Sequence, residues 1–375
     1  MTVGIRVLHV TDASSSGVLT AVTTIARQQS QDERFSRVVF AYVLRPDSPS
    51  EEEIRAMAGP AVEVQRWSDR LSTGRLVDLV RSLFKRLRTE TYDVVHLHSS
   101  RTGLLGRWVA LATSHRGRSL YSPHAFAFAY AHWSRRERLV LWTLELLGAI
   151  PARRLVLNSS SEETIARRAL PRARTAVLVN AVDVARLRTF KRSPDADHPW
   201  FAHVGRIAPA KAPGVFAAVT ELVIDRVRGS RGHWLGDGDR ALLDASPVEV
   251  SGWLTSEELH RRLSSTSALL FTSRGEGMPM AVLEAQAMGI PVVASRVTGV
   301  VDLIDDGENG LLGETVEELA DALTRVLTDP AFAEQLSART MSAAERFDQS
   351  LTAQRSLDCY AALLPAVARA TETAP

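Results

Sequence analysis

The strongest constraint on the fold of this chain is an alternation of short apolar runs with longer helical stretches. In the first half of the chain, the pattern predicts strands at Val3–Val10, Arg37–Leu44, Val94–Leu97, Leu120–Tyr121 and Leu155–Leu157, and helices at Gly17–Gln29, Leu76–Arg88 and Glu137–Leu147. A strand–helix–strand order implies parallel strands joined by right-handed crossovers, so we predict a doubly wound α/β sheet. Sheets of this kind bind ligands at the carboxyl ends of their strands.

A polar stretch with two prolines, residues 188–200, interrupts the pattern and suits a linker between two domains. The alternation then restarts, with strands predicted at Phe201–Val204, Ala268–Phe271 and Pro291–Ala294 and helices at Glu257–Leu263, Pro279–Met288 and Val316–Leu327. The last stretch, Leu351–Ala370, has a helical pattern with a break expected at Pro365. Because 375 residues suffice for two cores, we predict two Rossmann-like domains, 1–185 and 186–354. We expect a final helix at about 355–370 to pack back on the first domain.

Composition excludes several classes of protein. The only cysteine is Cys359, which excludes an internal disulfide framework and a zinc site built on cysteines, and favours a reducing cytoplasm. No apolar run reaches the roughly 18–20 residues of a membrane-spanning helix. The first ten residues, MTVGIRVLHV, are typical of a strand and lack the features of a signal peptide. We therefore expect a soluble, cytoplasmic protein.

Charge is divided unevenly between the two halves of the chain, although the net charge is only +2. Residues 1–175 carry 26 Lys and Arg against 16 Asp and Glu, whereas residues 176–375 carry 19 against 27. A basic first half attracts anionic partners such as phosphate headgroups, but a solvated basic surface explains the charge equally well. Because the basic residues are scattered and no nucleic-acid-binding motif accompanies them, we predict no nucleic acid partner.

The most informative segment is SRGEGMPMAVLEAQAMGIPVVAS, residues 273–295. Pro279 suits the first turn of a helix, because its missing N–H has no partner there, and Gly289 suits the end of that helix. Gly275 and Gly277 precede the helix and allow the backbone to approach a ligand closely. Since the amides at a helix N-terminus bind phosphate, the segment predicts a phosphate-binding loop.

Glu284 lies within this predicted helix among apolar neighbours. A buried carboxylate is costly unless it is hydrogen-bonded. The two hydroxyl groups of a ribose would supply suitable donors. A capped or water-bridged glutamate near the surface is the structural alternative.

Three further fragments stand at the ends of predicted strands in the second domain. Arg206 and Lys211 follow its first strand, and two cations at this position suit a diphosphate. The other two fragments are the loops Gly236–Asp237–Gly238 and Ser251–Gly252–Trp253–Leu254. Ordinary loop chemistry explains each fragment alone, but their order and spacing together favour a nucleotide-binding site.

Together these fragments resemble glycosyltransferase family 4, a retaining family with the two-domain architecture called GT-B. The hallmark of that family is a pair of glutamates separated by seven residues, which Glu276 and Glu284 match within EGMPMAVLE. Further matching residues are Val204–Gly205–Arg206, Lys211, Gly236–Asp237–Gly238, Ser273, Ala285, Asp305, Gly307 and Gly310–Leu311. The resemblance implies two Rossmann-like domains facing each other across a cleft. It also implies transfer of a sugar from a nucleotide diphosphate to an acceptor hydroxyl.

The resemblance implies a role for each matching residue of the second domain. Arg206 and Lys211 would hold the donor diphosphate and stabilise the charge of the leaving group. Glu284 would bind the ribose hydroxyls, and Glu276 would face the hydroxyls of the donor sugar. The residues implied to line the donor are Gly205, Gly236, Asp237, Trp253, Leu254, Gly277, Met278, Pro279 and Met280.

The first domain supplies the remaining candidates. His124 lies in the sequence Ser-Pro-His-Ala, which resembles the family's Pro-His-Gly loop beside the donor sugar, with Ala125 in place of glycine. Gly17 is the only glycine of a loop that is usually glycine-paired in the family, and it is expected to open a helix near the phosphates. His96 is expected to be a buried structural histidine. Candidates for contact with the acceptor or the cleft are Ser16, His98, Ser99 and Asn158.

The sequence predicts catalysis without a metal ion or another cofactor. No Asp-x-Asp motif stands where a divalent ion would be needed, and no His, Asp and Glu group with ligand spacing is recognised. Arg206, Lys211 and a helix N-terminus are expected to neutralise the departing diphosphate instead. By resemblance the anomeric configuration is retained. The acceptor hydroxyl then attacks from the leaving-group face and gives its proton to a phosphate oxygen, without a protein nucleophile.

A basic cluster between two tryptophans bears on the acceptor. Trp133 and Trp142 flank Arg135, Arg136 and Arg138. This combination is typical of a patch that contacts an anionic membrane surface, and a helix that packs on the core with a charged start explains it equally well. Acceptors left open are a glycan, a lipid-linked sugar and a small molecule.

Other functions are weighed against a glycosyltransferase that uses a UDP-sugar, with a GDP-sugar as the second choice. The spacing of Glu276 and Glu284 disfavours a GT-B-like non-hydrolysing UDP-sugar epimerase. The presence of Arg206 and Lys211 beside both glutamates disfavours an inactive sugar-nucleotide-binding subunit. A dehydrogenase is disfavoured because neither domain's first strand leads into G-x-G-x-x-G with a later acidic partner.

Overall fold

The computed structural model describes residues 4–71, 74–130, 133–195, 197–244, 246–365, 367 and 368, without the side chain of Ser16. The chain divides into two compact units. The first comprises the described residues of Met1–Ala129, Trp133–Ala181 and Gln349–Pro375, and the second those of Tyr130–His132 and Val182–Asp348. The predicted linker at 188–200 therefore lies inside the second unit. Val3 and Ala370, at the ends of two predicted elements, lie outside the described residues.

A parallel sheet of seven strands forms the centre of the first unit, in the order β3-β2-β1-β4-β5-β6-β7. Its strands are β1 (Ile5–Thr11), β2 (Phe35–Tyr42), β3 (Glu63–Arg66), β4 (Val94–His98), β5 (Ser119–Ser122), β6 (Arg154–Leu157) and β7 (Arg174–Val177). The order of the strands reverses direction between β1 and β4. The carboxyl ends of these two strands therefore flank a topological switch point, where sheets of this class bind ligands.

Seven α-helices surround this sheet in the described part of the first unit. They are α1 (Ser16–Ser30), α2 (Glu51–Ala58), α3 (Gly74–Thr89), α4 (Ser100–Ala112), α5 (Arg135–Ala149), α6 (Ser160–Ala169) and α13 (Thr352–Leu363). Leu357, Tyr360 and Leu363 of α13 are buried in the same hydrophobic cluster as residues of β1 and β2. Helix α13 ends at Leu363, and Leu364 is extended, because proline disfavours the α conformation of the residue before it.

A second parallel sheet, in the order β10-β9-β8-β11-β12-β13, forms the centre of the second unit. Its strands are β8 (Trp200–Val204), β9 (Arg231–Leu235), β10 (Val248–Val250), β11 (Ala268–Phe271), β12 (Val292–Ser295) and β13 (Leu311–Gly313). The helices are α7 (Val184–Leu187), α8 (Pro213–Arg226), α9 (Ser256–Leu263), α10 (Met280–Ala287), α11 (Val316–Thr328) and α12 (Pro330–Ala344). Here the switch point lies between β8 and β11.

Both units confirm the predicted doubly wound α/β class. All strand pairs within the two sheets are parallel, as the alternation of strands and helices requires. Strands β1, β4 and β11 and the middle of β8 are almost entirely buried, because helices cover both faces of each sheet. Among the described residues, no helix combines the length and the apolar character that crossing a bilayer demands.

Candidate functional site

Lys211 and Glu276 meet at the switch point of the second sheet. Lys211 ends a short 3₁₀ helix, Pro209–Lys211, that follows β8, and Glu276 lies in the loop that follows β11. Lys211 Nζ donates to Glu276 Oε1 at 2.6 Å, although the two residues are 65 positions apart in sequence. The side chains are 24% and 14% exposed, so the pair is mostly buried but still reaches solvent. Arg206, the second predicted cation, is partly buried on the loop between β8 and Lys211.

Residues of the β11 loop hold the backbone around Lys211. Thr272 Oγ1 donates to the carbonyl of Lys211 at 3.0 Å, and the amide of Arg274 donates to the carbonyl of Ala210 at 2.9 Å. Lys211 Nζ also lies 5.3 Å from the centre of the Phe271 ring, within the range of a cation–π contact. The cation is therefore positioned by the same strand end that carries Glu276.

Close backbone contact fixes the loop that carries Glu276. The amide of Glu276 donates to the carbonyl of Thr298 at 3.0 Å. Gly299 has φ +79°, and a Cβ atom at this position would lie 2.6 Å from the Glu276 carbonyl oxygen. Only glycine fits at position 299, because both the left-handed backbone and the close approach exclude a side chain.

Helix α10 begins at Met280, so Pro279 is the N-cap residue and not the first helical residue as predicted. In the described chain no side chain caps this N-terminus, and the first turn contains no acidic residue. The side chains of Met278 and Met280 are buried, as are Gly277 and Pro279. These residues therefore offer a ligand mainly their backbone groups, and a helix N-terminus of this kind favours an anion.

Glu284 faces a histidine that the sequence analysis did not single out. Glu284 Oε2 lies 3.6 Å from Nε2 of His260, which is buried on α9. Neither ring nitrogen of His260 has a hydrogen-bond partner within the described residues. The Glu284 side chain is 16% exposed, so its carboxylate remains accessible to a ligand hydroxyl. Nothing in the local sequence of α9 marks His260, because only the fold brings it to Glu284.

Gly205 and Gly236 bring the ends of β8 and β9 into direct contact. Gly236 has φ +147°, and a Cβ atom there would overlap the Gly205 carbonyl group. The indole nitrogen of Trp234 donates to the same carbonyl at 2.8 Å. Next to this contact, Asp237 accepts from the amide of Gly238 and from Arg240, and these hydrogen bonds lower the pKa of Asp237 to about 2. Asp237 is therefore an anion that is already paired.

Trp253 and Leu254 lie in the loop between β10 and α9. Trp253 is 57% exposed, whereas Leu254 is half-buried. Preceding them, Ser251 donates its amide to the carbonyl of Trp234 and accepts at Oγ from the amide of Gly236. These bonds tie the loop of Trp253 and Leu254, which is predicted to line the donor, to the loop after β9.

The loop after β5 holds His124 in an unusual backbone conformation. His124 and Ala125 have φ +55° and +92°, in the left-handed region that non-glycine residues seldom adopt. Glu162 of α6 stabilises this turn, because its Oε1 accepts from the amide of Ala125 at 2.8 Å. Burial lowers the pKa of His124 to about 4, so its imidazole is neutral at pH 7.

His98, at the end of β4, is fully buried. His98 Nδ1 lies 2.9 Å from His124 Nε2, and His98 Nε2 lies 3.0 Å from His9 Nδ1. Both ring nitrogens are therefore occupied, and we correct the expectation that His98 contacts the acceptor directly. Burial also lowers the pKa of His98 well below its ordinary value.

Ser99 follows His98 with φ +74° and braces the loop after β1. Its hydroxyl donates to Asp12 Oδ1, which also accepts from Thr102 Oγ1 at 2.9 Å. Asp12 is buried and was not recognised from the sequence. Gly17, the second residue of α1, is exposed, whereas the side chain of Ser16 lies outside the described atoms.

Asn158 is buried at the end of β6. Its side-chain Nδ2 donates to Asn180 Oδ1 at 2.7 Å, and its backbone N–H donates to Glu162 Oε2 at 2.8 Å. Asn158 Oδ1 has no hydrogen-bond partner among the described residues. The structure thus places Asn158 in the same network as the His124 loop, through Glu162.

Three buried histidines, His9, His96 and His98, form a group that the sequence analysis did not recognise. One ring nitrogen of each lies within 4.8 Å of the others, close enough to be considered for a metal ion. The expectation that ligand groups of this kind are missing is therefore corrected. However, every ring nitrogen of the three lies 2.8–3.0 Å from a hydrogen-bond partner. A hydrogen-bonded network accounts for this arrangement without an ion.

Two family models together match most of the chain. Residues 15–186 match the model described as "Glycosyltransferase Family 4", and residues 198–329 match the model described as "Glycosyl transferases group 1". A D-inositol 3-phosphate glycosyltransferase from Saccharomonospora viridis is 30% identical over 314 residues, which cover 73% of this chain and 72% of that protein. The UDP-Gal:alpha-D-GlcNAc-diphosphoundecaprenol alpha-1,3-galactosyltransferase of Escherichia coli is 28% identical over 66% of this chain and 70% of that protein.

Solved structures share the fold at low sequence identity. Sucrose-phosphate synthase from Thermosynechococcus elongatus superposes with a TM-score of 0.81 at 19% identity, covering 96% of this chain and all of that one. HepE of Anabaena in complex with UDP-glucose gives a TM-score of 0.74 at 17% identity, covering 99% and 100%. With the two parallel-sheet units, these similarities confirm the GT-B fold.

Proposed function

The chain belongs to glycosyltransferase family 4, and on that premise we propose that it transfers a hexose or N-acetylhexosamine from a UDP-sugar to an acceptor hydroxyl. The observation that carries the proposal is the pairing of Lys211, which follows β8, with Glu276, which lies in the loop that leads to the uncapped start of α10. A cation, a carboxylate and helix N-terminal amides supply the contacts that a diphosphate and its sugar require.

The choice of nucleotide rests on a relative. The name of the Escherichia coli relative specifies UDP-Gal as the donor of that enzyme. This supports a UDP-sugar as the donor of the present chain, with a GDP-sugar as the second choice. The same name supports an acceptor that carries a sugar on a lipid diphosphate, alongside glycans and small molecules.

In the proposed reaction the bond between the anomeric carbon and the diphosphate oxygen breaks. Arg206 and Lys211 stabilise the negative charge that develops on the diphosphate, together with the N-terminus of α10. The acceptor oxygen bonds to the anomeric carbon on the face that the diphosphate leaves, and its proton passes to a phosphate oxygen. The configuration is therefore retained without a protein nucleophile. No metal ion is required, because fixed cations and amides supply the positive charge.

The two glutamates have separate roles in this scheme. Glu276 accepts hydrogen bonds from hydroxyls of the donor sugar, and its pairing with Lys211 orients the carboxylate. Glu284 accepts from the ribose hydroxyls, with His260 behind it. Both carboxylates are partly accessible, which a direct contact with the donor requires.

The proposal is tested by screening nucleotide sugars against the purified full chain. Calorimetry with UDP-glucose, UDP-galactose, UDP-N-acetylglucosamine and GDP-mannose, followed by mass spectrometry of turnover with cell-extract acceptors, should identify one UDP-sugar that binds and is consumed. Release of UDP together with a mass gain of one hexose or N-acetylhexosamine on an acceptor is the expected result. Turnover with GDP-mannose alone would show that the donor is a GDP-sugar. Binding of none of the four nucleotide sugars would overturn the proposal.

Contact with an anionic membrane surface is proposed for helix α5 of the first unit. Leu139, Val140 and Ile150 are 58%, 59% and 51% exposed, and Arg135 and Arg136 are exposed at the start of the helix. Exposed apolar side chains beside arginines suit the interface of a bilayer with anionic headgroups. A cavity of about 270 Å³ lies at the N-terminal end of the helix. It is lined by Phe128, Arg135, Arg138, Leu139 and Trp142.

Vesicle sedimentation tests the membrane contact. At low salt the chain should sediment with vesicles of phosphatidylglycerol and not with those of phosphatidylcholine, and Leu139→Asp with Val140→Asp should abolish the difference. Leu242→Asp, at an exposed leucine of the second unit, is the matched control. Equal recovery with both vesicle types would contradict the proposal.

A further inference from the structure

One chain of hydrogen bonds connects His124 to the interior of the first unit. His124 Nε2 lies 2.9 Å from His98 Nδ1, and His98 Nε2 lies 3.0 Å from His9 Nδ1. His9 Nε2 then lies 2.8 Å from Gln29 Oε1. The direction of donation along this chain is set by the groups at its inner end.

Two hydrogen bonds fix the orientation of the Gln29 amide. The hydroxyl of Ser356 donates to the carbonyl of Ala353 at 2.8 Å, so it accepts from Gln29 Nε2 at 3.0 Å. The same nitrogen donates to the hydroxyl oxygen of Tyr360 at 3.0 Å. The amide nitrogen therefore faces α13, and the amide oxygen faces His9.

A branch on the far side of Tyr360 requires the same orientation. The hydroxyl of Ser122 donates to the carbonyl of Val156 at 2.7 Å, so it accepts from His96 Nε2 at 2.8 Å. His96 Nδ1 then accepts from the hydroxyl of Tyr360 at 3.0 Å. If every donor and acceptor along this chain of hydrogen bonds were reversed, the hydroxyls of Ser122 and Ser356 could no longer donate to backbone carbonyls, which can only accept. Two hydrogen bonds would be lost.

The positions of the protons on the histidines follow from this orientation. Because Gln29 Oε1 can only accept, the proton of His9 is on Nε2, and His9 Nδ1 accepts from His98 Nε2. His98 Nδ1 accepts in turn from His124 Nε2. Each imidazole is neutral and carries its proton on Nε2, which leaves Nδ1 of His124 as an unprotonated acceptor.

We propose that His98 and His9 are positioning residues that hold His124 as the Nε2–H tautomer, so that its Nδ1 accepts a hydrogen bond from a substrate hydroxyl. This inference rests on the proposed function, because a hydroxylated substrate is the ligand that a bare Nδ1 would bind. The left-handed backbone of His124 and Ala125, braced by Glu162, fixes the ring in the orientation that reaches His98.

Charged or titratable groups of α6, of the loop after β1 and of α13 lie near this chain of hydrogen bonds. Glu162 of α6 accepts from the amides of Ala125 and Asn158, and Asp12 accepts from the hydroxyls of Ser99 and Thr102. The pKa of Tyr360 on α13 is raised by burial, so this residue stays neutral. The two carboxylates thus hydrogen-bond to backbone and hydroxyl groups, and each histidine hydrogen-bonds within the chain described above.

Nitrogen NMR of the wild-type chain with ¹⁵N-labelled histidine tests the tautomer without any activity measurement. The His124 signals are identified as those lost in His124→Gln. We expect a proton on Nε2 and a bare Nδ1, unchanged from pH 7.5 to about pH 5.5. A proton on Nδ1, or titration of His124 near pH 6.5, would overturn the proposal.

Nitrogen NMR and turnover of His98→Phe test the role of His98. In this variant the Nε2–H of His124 loses its acceptor, whereas the ring stays buried and neutral. The Nδ1–H tautomer of His124 should therefore become populated at pH 7.5, and kcat/KM should fall by about fivefold to tenfold. His96→Phe is the matched control, because His96 is equally buried on β4 but hydrogen-bonds to Tyr360 and Ser122 and not to His124, and it should keep the wild-type tautomer and kcat/KM.

The outcomes separate this inference from the proposed function. If UDP-sugar transfer is observed but His98→Phe keeps the wild-type tautomer of His124 and the wild-type kcat/KM, the positioning role is wrong and the transferase assignment stands. If no nucleotide sugar is used, the proposed function fails, and the NMR measurement still decides the tautomer. Thermal melting of both phenylalanine variants at pH 7.5 shows whether each is folded before the variants are compared.

Discussion

Lys211 Nζ lies 2.6 Å from Glu276 Oε1, which links the end of β8 to the loop after β11. The pair joins the residue assigned to the diphosphate with the residue assigned to the sugar. Each therefore affects the orientation of the other, and their substitutions should not be additive. This coupling means that a loss of activity on changing either residue reports on both contacts.

Lys211→Ala should lower kcat by about 10²–10³-fold, because it removes a cation that stabilises charge developing on the leaving group. The measurement is steady-state turnover of the UDP-sugar. Arg226→Ala is the matched control, since Arg226 forms a 2.7 Å ion pair with Asp321 on the helices α8 and α11 of the same unit. Near-normal turnover of Lys211→Ala, with the control also normal, would contradict the phosphate role.

Glu284→Gln should weaken binding of the UDP-sugar by about 10–100-fold, because hydrogen bonds to a charged acceptor contribute about 1.5–3 kcal/mol. Calorimetric titration with UDP alone measures the effect on the nucleotide. Glu249→Gln is the control: Glu249 Oε2 lies 3.7 Å from His233 Nδ1, a pair of similar geometry on the edge strand β10. An unchanged affinity of Glu284→Gln for UDP would show that Glu284 does not bind the ribose.

The positions of most inner strands were predictable because these strands are rich in apolar residues, but the inner strand β9, with the sequence RGHWL, received no predicted range. The four edge strands, β3, β7, β10 and β13, received no predicted range, because they are short and only partly buried. An exposed run such as Val248–Val250 carries no periodic apolar pattern that distinguishes it from a loop. The sequence thus predicts the centre of each sheet better than its borders.

The candidate site was predictable where its residues are neighbours in sequence. Glu276 and Glu284 were recognised from their spacing, but the approach of His260 to Glu284 depends on the packing of α9 against α10. The hydrogen-bonded chain of histidines was missed for the same reason, because its parts come from β1, α1, β4, the β5 loop and α13. The only sequence signal was that His96 and His98, two positions apart in a strand, lie on the same face of it.

Removal of divalent ions should leave the rate of sugar transfer unchanged within about twofold, because Arg206, Lys211 and helix amides supply the positive charge. The test is turnover after dialysis against EDTA, with and without added magnesium or manganese. Complete loss that magnesium restores would overturn the metal-independent mechanism. Zinc analysis of the purified chain serves as a second measurement, since bound zinc would point to the three buried histidines.

Glu145→Ala should lower the free energy of unfolding by about 3–5 kcal/mol, because it leaves a buried guanidinium uncompensated. Arg107 is 1% exposed, lies 3.4 Å from Glu145, and packs 4.3 Å from the centre of the Tyr121 ring. Urea denaturation measures the change. Asp321→Ala, which removes an exposed ion pair with Arg226, should cost less than about 1 kcal/mol. Similar losses in the two variants would show that the buried pair is not specially stabilising.

Acidification should destabilise the chain through its buried histidines, of which His9 offers the clearest test. Burial lowers the pKa of His9 from 6.5 to about 4, so the unfolded chain binds a proton between these values and the folded chain does not. The contribution of His9 is therefore complete above pH 6.5 and falls by about 3 kcal/mol as the pH drops to 4. Other groups titrate in the same range, so the measurement is the difference between wild type and His9→Gln in urea unfolding at pH 7.5 and at pH 4.5. The wild type should lose more stability than His9→Gln over this range, whereas the exposed control His198→Gln should follow the wild type. Parallel losses in wild type and His9→Gln would show that His9 takes up its proton equally in both states.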